Sequence, residues 1–526
     1  MADATLVDTV LRQARERPRQ PALRQGSRAL DFAQLEQATA RIANALTAAG
    51  IGPGARVACL TQDHIDCLLL TLAACRVGAV CMPVNWRLAP GEIGYVVRHG
   101  QAALLLADRQ FLPAVRAAEL QDVPLLLCTE GAHDGLQGFA DWYAPHPPEQ
   151  LPRPAGPMDD ALQLYSSGTT GLPKGVVLTH RGLVSTCETV ARDWGFGAGD
   201  VNGNPLPTFH VAGMTMLLLT VHAGGVTVAF PTFEPPQFIA AIARERITHA
   251  FLVPAMLLFM LQQPSARDAD YRTLRLIAYG GSPISETLLA DAIAAFGCDF
   301  LQVYGMTEVS GPVTFLMPQD HRVALSSPDQ AHLLRSAGRP AGGARLRIVE
   351  PGSGRELPEG LVGEIWIESI RNLSRYWRDD EATARAFPEG RSEAGGWFRS
   401  GDGGYLRDGF LYIHDRIKDM VVSGGENIYP AEVENALMAH PAVADCAVIG
   451  VPDDTWGESV KACVVPRPGA TVAADELIAF TRERLAHYKC PRSVDFLETL
   501  PRNPSGKILK RVLREPYWQG HARAVN

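Results

Sequence analysis

Three apolar segments of this sequence each run directly into a short loop of small and polar residues. Residues 161–165 lead into a Ser/Thr/Gly loop, residues 276–279 into the loop GGSP, and residues 300–303 into the loop YGMTE. Apolar runs of this length, bounded by turn residues, are typical of buried strands. Because ligand sites favour the ends of strands in α/β sheets, the pattern predicts that three strand ends deliver polar residues to a ligand site.

The surrounding sequence alternates between helical and strand patterns. Asp31, followed three residues later by Gln34, has the spacing of a capping box, and Gly50 can end the helix that this box begins. The alternation continues with strands predicted at 56–60, 78–85 and 102–107 and helices predicted at 63–76 and 90–98. It predicts an α/β fold class, in which parallel or mixed sheets are flanked by helices.

The last hundred residues have a smaller α+β pattern of their own. Helices are predicted at 431–439 and 474–485, and strands at 445–451, 460–465 and 493–497. A charged run at 414–419 separates this pattern from the larger one before it. With 526 residues, the chain exceeds a single average domain, so we predict a large N-terminal domain and a small mobile C-terminal domain.

Composition excludes several classes of protein. A net charge of −8 gives no sign of a nucleic-acid surface, and the ten cysteines contain no Cys-x-x-Cys pair, which favours buried thiols in a reducing cytoplasm. The charged N-terminus does not resemble a signal peptide. Residues 211–230 lack charged side chains, but His222, three threonines and Gly224-Gly225 favour a buried helix, a turn and a strand over a membrane span.

The strongest local motif is YSSGTTGLPKG at residues 165–175. Its small residues let backbone amides approach an anion, while its hydroxyls and Lys174 donate hydrogen bonds, so it predicts phosphate binding. It is not a Walker A loop, because Pro173 stands where that motif has glycine. The alternative is a flexible Ser/Gly turn.

Seven further motifs follow in a fixed order: PTFH (207–210), YGGSP (279–283), YGMTE (304–308), WFRSGD (397–402), DRIKD (415–419), SGGENIYP (423–430) and PSGK (504–507). With these motifs the sequence resembles the adenylate-forming superfamily of acyl-CoA synthetases, luciferases and peptide-synthetase adenylation domains over nearly the whole chain. The resemblance implies that a carboxylate attacks the α-phosphorus of ATP, expels pyrophosphate and forms an acyl-AMP, and that the acyl group then passes to coenzyme A.

The resemblance also implies roles for individual residues. The catalytic residues are Lys507, Thr169, Glu308 and His210, and Glu308 also holds Mg²⁺. Binding of ATP falls to Ser166, Ser167, Gly168, Thr170, Lys174, Gly281, Ser282, Pro283, Tyr304, Gly305, Thr307, Asp402 and Arg416. Tyr304 would stack on adenine, and Asp402 suits the ribose diol because a carboxylate accepts both hydrogen bonds. Lys507 would bridge the substrate carboxylate and the α-phosphate.

The resemblance further implies that the small domain rotates between the two half-reactions. Lys418 occupies the hinge, which divides the chain into domains 1–416 and 417–526. After rotation Gly425 would let the pantetheine chain pass, while Trp456 could stack on the CoA adenine and Arg87 could meet a CoA phosphate. For Trp456 and Arg87, a position at a domain interface is an equal alternative.

The predicted acyl pocket is apolar and consists of Trp194, Val211, Met214, Gly280, Val303 and Met306. His210 stands where an amino-acid adenylation domain has Asp, so amino acids are disfavoured. A fatty acid is the first candidate, with an aryl acid or the loading of a carrier protein as alternatives. A non-catalytic relative would lack Lys507, Glu308 or Asp402, and all three are present.

The chain departs from the family pattern at residues 368–377, where Ser369-Ile370-Arg371 and Arg375 replace glycine and proline. We therefore expect the local backbone beside the nucleotide and acyl sites to differ from the family pattern, with the catalytic set unchanged. We also predict a cytoplasmic enzyme without a membrane span or a nucleic-acid partner. The general frequency of such assemblies favours a homodimer.

Overall fold

A computed structural model describes residues 4–149, 155–166, 173–282, 284–392, 395–416, 419–423, 426–453, 455–502 and 508–519. The predicted fold class is confirmed, because a large N-terminal α/β domain with mixed sheets is followed by a smaller C-terminal domain. The division at residues 416 and 417, with its hinge at Lys418, stays a prediction because residues 417 and 418 lie outside the described ranges.

The α-helices of the described residues are α1 (Leu6–Glu16), α2 (Phe32–Ala48), α3 (His64–Arg76), α4 (Pro90–Gly100), α5 (Leu112–Ala117), α6 (Phe139–Tyr143), α7 (His180–Trp194), α8 (Val211–Ala223), α9 (Pro235–Arg244), α10 (Pro254–Leu261), α11 (Glu286–Phe296), α12 (Pro318–Ser326), α13 (Asp380–Ala386), α14 (Pro430–Met438), α15 (Ala474–Arg482) and α16 (Lys510–Trp518).

The strands of the first half are β1 (Pro21–Gln25), β2 (Arg28–Asp31), β3 (Arg56–Leu60), β4 (Val80–Pro83), β5 (Ala102–Ala107), β6 (Leu125–Cys128), β7 (Gln137–Gly138), β8 (Asp160–Ser166), β9 (Lys174–Thr179), β10 (Val201–Asn204), β11 (Val226–Ala229) and β12 (His249–Leu252). Those of the second half are β13 (Leu276–Gly280), β14 (Asp299–Met306), β15 (Gly311–Leu316), β16 (Arg339–Pro340), β17 (Arg345–Val349), β18 (Gly363–Glu368), β19 (Arg375–Tyr376), β20 (Trp397–Arg407), β21 (Phe410–Arg416), β22 (Val421–Ser423), β23 (Glu426–Ile428), β24 (Val443–Asp453), β25 (Gly457–Pro466) and β26 (Ser493–Phe496).

Two large sheets form the N-terminal domain. Sheet 1 has the order β16-β15-β14-β13-β12-β10-β11-β1-β2, and sheet 2 has the order β19-β9-β8-β4-β3-β5-β6-β7. The inner strands pair in parallel, whereas β15 beside β14 and β9 beside β8 are antiparallel. A smaller antiparallel sheet 3, with the order β17-β18-β20-β21, is formed by residues between 345 and 416.

Two helices without a polar face lie in the interior of this domain. Every residue of α3 is buried, and it contacts β1 of sheet 1 as well as β3 and β8 of sheet 2. Helix α8 packs on α7 and on β10, β11 and β15. A helix that is apolar all round needs cover on every side, which explains why both lie against sheets and other helices.

Local sequence signals account for several element boundaries. Asp31 caps α2 and forms the predicted capping box with Gln34. The uncharged segment 211–230 is the predicted buried helix and strand, because α8 ends at Gly224 in the left-handed conformation before β11. In the part of the chain that the structure describes, no helix is long and apolar enough to cross a membrane.

The small domain has its own sheet, in which β23, β22, β25 and β24 are neighbours and β26 pairs with β25. The two predicted helices correspond to α14 and α15, and the three predicted strands correspond to β24, β25 and β26. Helix α16 follows the PSGK motif, and its Arg514 forms a 2.7 Å ion pair with Asp419. The motif itself lies outside the described residues.

Candidate active site

The β8–β9 hairpin brings a hydroxyl and an ammonium group to one edge of sheet 2. Ser166, the last residue of β8, pairs directly with Lys174, the first residue of β9. The connecting residues Ser167, Gly168, Thr169 and Thr170 lie outside the described ranges. The strand pairing therefore defines the two ends of the predicted phosphate loop.

Glu308 faces this hairpin from the end of sheet 1. It lies in a short 3₁₀ turn (Thr307–Val309) directly after β14. Its Oε1 accepts a hydrogen bond from Ser166 Oγ at 3.1 Å and lies 3.5 Å from the hydroxyl of Tyr376. The backbone carbonyl of Glu308 accepts the N–H of Leu373 at 2.7 Å, which fixes the turn. Glu308 and Ser166, which the sequence placed in separate motifs, are in contact.

The surroundings of Glu308 fit a magnesium ion that binds together with a phosphate-bearing substrate. Among the described residues no three His, Cys, Asp or Glu side chains converge into a closed metal cage. Mg²⁺ is usually held by one or two carboxylates together with substrate phosphates and water, so a single carboxylate beside a hydroxyl is a suitable donor set. Glu308 as the metal ligand stays a prediction.

Lys174 has neighbours that the sequence did not reveal. Its Nζ lies 3.9 Å from a carboxylate oxygen of Asp379 and 5.2 Å from the ring centre of Tyr376. Tyr376 reaches this position because β19 pairs antiparallel with β9, setting it opposite Val176. No motif of consecutive residues encodes this pairing, so Tyr376 and Asp379 were missed. Their proximity to Lys174 and Glu308 makes both of them candidate site residues.

Tyr304 and Asp402 are joined in the buried part of the site. The Tyr304 hydroxyl donates to Asp402 Oδ2 at 2.8 Å, and both side chains are buried. Asp402 also donates its backbone N–H to Ser400 Oγ, and it pairs across β20 and β21 with Arg416. The side chain of Arg416 lies outside the described residues. The ring predicted to stack on adenine and the carboxylate predicted to bind the ribose are therefore joined by a hydrogen bond.

Backbone geometry requires glycine at two of the predicted nucleotide positions. Gly281 has a φ of 81°, in the left-handed region that other residues rarely adopt. A Cβ on Gly305 would stand 2.0 Å from the carbonyl oxygen of Gly311. Ser282 is half-buried beside them, and Pro283 lies outside the described residues. The close strand approach explains the glycine at 305 without any ligand.

His210 is neutral at the start of α8. Burial, with a smaller contribution from the positive charge of Arg87, lowers the pKa of its imidazole to about 4. Its ring centre lies 4.5 Å from that of Phe209, and Nε2 has no hydrogen-bond partner among the described residues. Near pH 7 it can offer a hydrogen bond to an acid, but not a positive charge.

Arg87 and Trp456, the predicted CoA contacts, both lie beside aromatic or cationic groups. The Arg87 guanidinium lies 4.7 Å from the ring centre of Trp86 and 6.0 Å from that of Phe209, next to His210. Trp456 is 45% exposed in the turn between β24 and β25. Arg492 lies 5.0 Å over its ring. The remaining small-domain residues of the prediction, Lys418, Gly425 and Lys507, lie outside the described ranges.

Five of the six predicted pocket residues fall in two apolar clusters on either side of α8. Trp194 and Val303 pack with Phe251 and Phe315. Met214 packs with Tyr304, and Val211 and Met306 lie against that second cluster. Gly280 pairs with Val303 at the ends of β13 and β14, where a Cβ would stand 2.2 Å from the Val303 carbonyl oxygen. The predicted pocket thus begins beside the Tyr304–Asp402 pair.

The sequence of this chain matches two known protein-family models. A model described as AMP-binding enzyme matches residues 10–377, and one described as AMP-binding enzyme C-terminal domain matches residues 432–507. The chain belongs to the AMP-binding enzyme family. The predicted resemblance to adenylate-forming enzymes is therefore confirmed.

Curated members of the AMP-binding enzyme family match almost end to end. A fatty acid--[acyl-carrier-protein] ligase, ScoC, of Streptomyces coeruleorubidus is 39% identical over 99% of this chain and 98% of its own. A feruloyl-CoA synthase of an Amycolatopsis species is 39% identical over 96% and 98%. The long-chain-fatty-acid--CoA ligase FadD13 of Mycobacterium tuberculosis is 35% identical over 93% of each chain.

Solved structures agree with the fold. ATP-bound MatB from Rhodopseudomonas palustris superimposes with a TM-score of 0.88 at 30% identity, covering 99% of this chain and all of its own. A Mycobacterium tuberculosis fatty acyl CoA synthetase superimposes with a TM-score of 0.78 at 33% identity, covering 99% of both chains. The predicted enzyme class, an AMP-forming acid–thiol ligase, and the predicted use of ATP, Mg²⁺ and CoA are confirmed at the level of the family.

Proposed function

We propose that this AMP-binding enzyme activates an apolar carboxylic acid, with a fatty acid as the first candidate, and transfers the acyl group to CoA. The observation that carries the proposal is the contact between Ser166 of the phosphate loop and Glu308 of the opposite sheet. This contact joins a hydroxyl that can donate a hydrogen bond to phosphate, on Ser166, to a candidate metal ligand, Glu308, beside an apolar cluster. Two relatives are named for fatty acids, which supports the first candidate.

In the first half-reaction a carboxylate oxygen bonds to the α-phosphorus while the bond to pyrophosphate breaks. Lys174, Ser166, Thr169, Thr170 and Thr307 donate to the phosphoryl oxygens, with the backbone of Ser167 and Gly168. Glu308 would hold Mg²⁺, which would supply further positive charge when bound. Because both reactants are anions, donors already in place stabilise the charge that builds on the phosphoryl oxygens.

Nucleotide orientation falls to the buried Tyr304–Asp402 pair. Its hydrogen bond holds the tyrosine ring as a platform for adenine, while Asp402, with Arg416, accepts the ribose hydroxyls. Residues 281–283 and Gly305 line the edge of the base. His210, neutral at pH 7, borders the acid and directs its carboxylate by a hydrogen bond.

The small domain supplies the groups that differ between the two steps. Lys507 bridges the carboxylate and the α-phosphate in the first step, and rotation at Lys418 withdraws it. In the second step the CoA thiol loses its proton to solvent, its sulfur bonds to the acyl carbon, and AMP leaves. Gly425 admits the pantetheine chain, and Trp456 and Arg87 contact the nucleotide part of CoA.

A specific observation favours an aryl acid as the second candidate. The cluster that includes the predicted pocket residues Trp194 and Val303 also contains Phe251 and Phe315. Aromatic walls suit a flat ring. One relative is named for feruloyl-CoA.

For the acceptor, a carrier protein is the alternative, which the name of ScoC supports. The cytoplasmic location and the homodimer also remain proposals.

The experiment follows pyrophosphate release from ATP with a panel of fatty, benzoic and cinnamic acids, with and without CoA. We expect one acid class to release pyrophosphate, CoA to accelerate turnover, and Lys507→Ala to abolish adenylation. If CoA does not change pyrophosphate release and no thioester forms, CoA is not the acceptor, and a carrier protein becomes the proposed acceptor. No release with any acid would contradict adenylation of these acids.

A further inference from the structure

Strand pairing arranges the apolar side chains of sheet 1 in two rows on the face covered by α7 and α8. Gly280 pairs with Val303, which pairs in turn with Phe315, and these residues form the upper row at the strand ends. The lower row contains Phe251, Ala278 and Leu301, which are also paired. Residues two apart on a strand point to the same face, so the rows are separated by about 7 Å.

Trp194, the last residue of α7, covers the boundary between the two rows. Its indole lies nearly parallel to the ring of Phe251, at 6.2 Å between ring centres and 8° between planes. Its ring centre also lies 6.5 Å from that of Phe315, at 63°. Only 6% of Trp194 is exposed. The indole therefore contacts one ring of the lower row, Phe251, and one ring of the upper row, Phe315, which is paired with Val303.

The backbone of Trp194 is also held in place. Nε2 of His249, on β12, lies 3.1 Å from the carbonyl oxygen of Trp194, and Nδ1 lies 2.8 Å from Thr248 Oγ1. A carbonyl only accepts, so Nε2 donates and the threonine hydroxyl donates to Nδ1. The indole is thus held by ring contacts, and the main-chain carbonyl of Trp194 is held by a buried hydrogen bond.

We infer that Trp194, stacked on Phe251 and in edge contact with Phe315, forms the floor of the acyl pocket and restricts the acid to an acyl group about as long as one aromatic ring. This inference rests on the proposed function, because it takes Gly280 and Val303 to border the acyl group. Under this inference the candidate substrate is an aryl acid, or a short alkyl acid of the same length, and not a long-chain fatty acid. A longer chain would have to displace a packed indole, and close-packed interiors resist such displacement.

The first test uses the unaltered protein and non-hydrolysable acyl-AMP analogues with butanoyl, hexanoyl, benzoyl, cinnamoyl, decanoyl and hexadecanoyl groups. Binding is measured by calorimetry, alongside pyrophosphate release from the matching acids. We expect the ring-sized and short analogues to bind, and affinity to fall by about tenfold or more for each of the first methylenes that cannot fit. If the decanoyl and hexadecanoyl analogues bind as well as the short ones, Trp194 does not form the floor of the pocket, although the proposed function still holds. No binding of any analogue and no pyrophosphate release would overturn both.

The second test compares Trp194→Leu and Trp194→Ala with Phe300→Leu. Phe300 is equally buried on β14, but it packs on the opposite face of sheet 1, so it controls for a general loss of stability. We expect the two Trp194 variants to shift the preferred alkyl length upward, Ala more than Leu, and Phe300→Leu to leave the preference unchanged. An unchanged length preference in a folded Trp194→Leu protein would overturn the inference. If Trp194→Ala does not fold, Trp194→Leu and the analogue series decide.

Discussion

The nucleotide side and the acyl side of this site are built in different ways. On the nucleotide side, side-chain hydrogen bonds join Ser166 to Glu308 and Tyr304 to Asp402. On the acyl side, Trp194, Phe251 and Phe315 come from a helix and two strands and meet through ring packing. Motifs record residue types at fixed spacing, so they identify the first group, whereas the shape of a pocket depends on packing between distant elements.

This difference predicts two kinds of mutant. A substitution on the nucleotide side removes stabilisation that every acid needs, so it should lower activity by the same factor for all acids. A substitution on the acyl side should change the ranking of acids, because it alters which acyl group fits. Each prediction below either separates the two sides or shows that they are coupled.

The largest effect is expected from Glu308→Gln. The substitution keeps the size of the side chain but removes the charge that faces Ser166 and would hold Mg²⁺, so we expect kcat to fall roughly 10²–10³-fold. The fall should be equal for every acid that the enzyme accepts, measured by pyrophosphate release. Glu286→Gln, on the exposed first turn of α11, is the control and should have wild-type activity. A changed ranking of acids would show that the nucleotide side and the acyl side are coupled.

Local signals in the sequence predicted much of the fold but only part of the site. The Asp31 capping box, the buried segment 211–230 and the strand that leads into YGMTE are set by neighbouring residues, and each was predicted, although β14 continues through Met306 where a loop was expected. Sheet 3 and the pairing of β19 with β9 depend on residues far apart in the chain. Tyr376 and Asp379 escaped prediction for that reason, as did the stacking of Trp194 on Phe251.

Arg371, in the segment that departs from the family pattern, should show the next largest effect. It is fully buried, its Nη2 donates to the Ala341 carbonyl at 2.6 Å, and its own carbonyl accepts from Ser310 Oγ. Burial lowers the pKa of its guanidinium to about 10. We expect Arg371→Ala to lower the free energy of unfolding by about 3 kcal/mol, because it leaves a cavity and an unpaired carbonyl.

The measurement for Arg371 is denaturant unfolding together with the acid panel. Arg371→Met keeps most of the volume and should lose less stability than the alanine variant. Activity in the folded fraction should keep its ranking of acids, since Arg371 lies next to the Glu308 turn and not in the ring cluster. Equal stability of Arg371→Ala and wild type would show that this departure from the family pattern has no structural role.

Two buried histidines predict that the protein loses stability in mild acid. Burial lowers the pKa of both His180 and His249 to about 4, against 6.5 in the unfolded chain. Between these values the unfolded chain binds more protons, so the free energy of unfolding falls as the pH is lowered, by about 2 kcal/mol per histidine at pH 5. Thermal unfolding from pH 7 to pH 5 checks the slope. His249→Gln should remove the part of the pH dependence that His249 contributes. An unchanged slope in this variant would refute the lowered pKa of His249.

The smallest effect is expected from Tyr304→Phe, which removes one hydroxyl and keeps the ring. Losing the hydrogen bond to Asp402 should cost about 1 kcal/mol in nucleotide binding, which is about a fivefold rise in the KM for ATP. Tyr279→Phe is the matched control, because its hydroxyl pairs with His321 on the opposite face of sheet 1. That control should lose stability without a change in KM. If Tyr304→Phe instead changes the ranking of acids, the adenine platform also shapes the neighbouring Met214 cluster, and the nucleotide side and the acyl side form one packed unit.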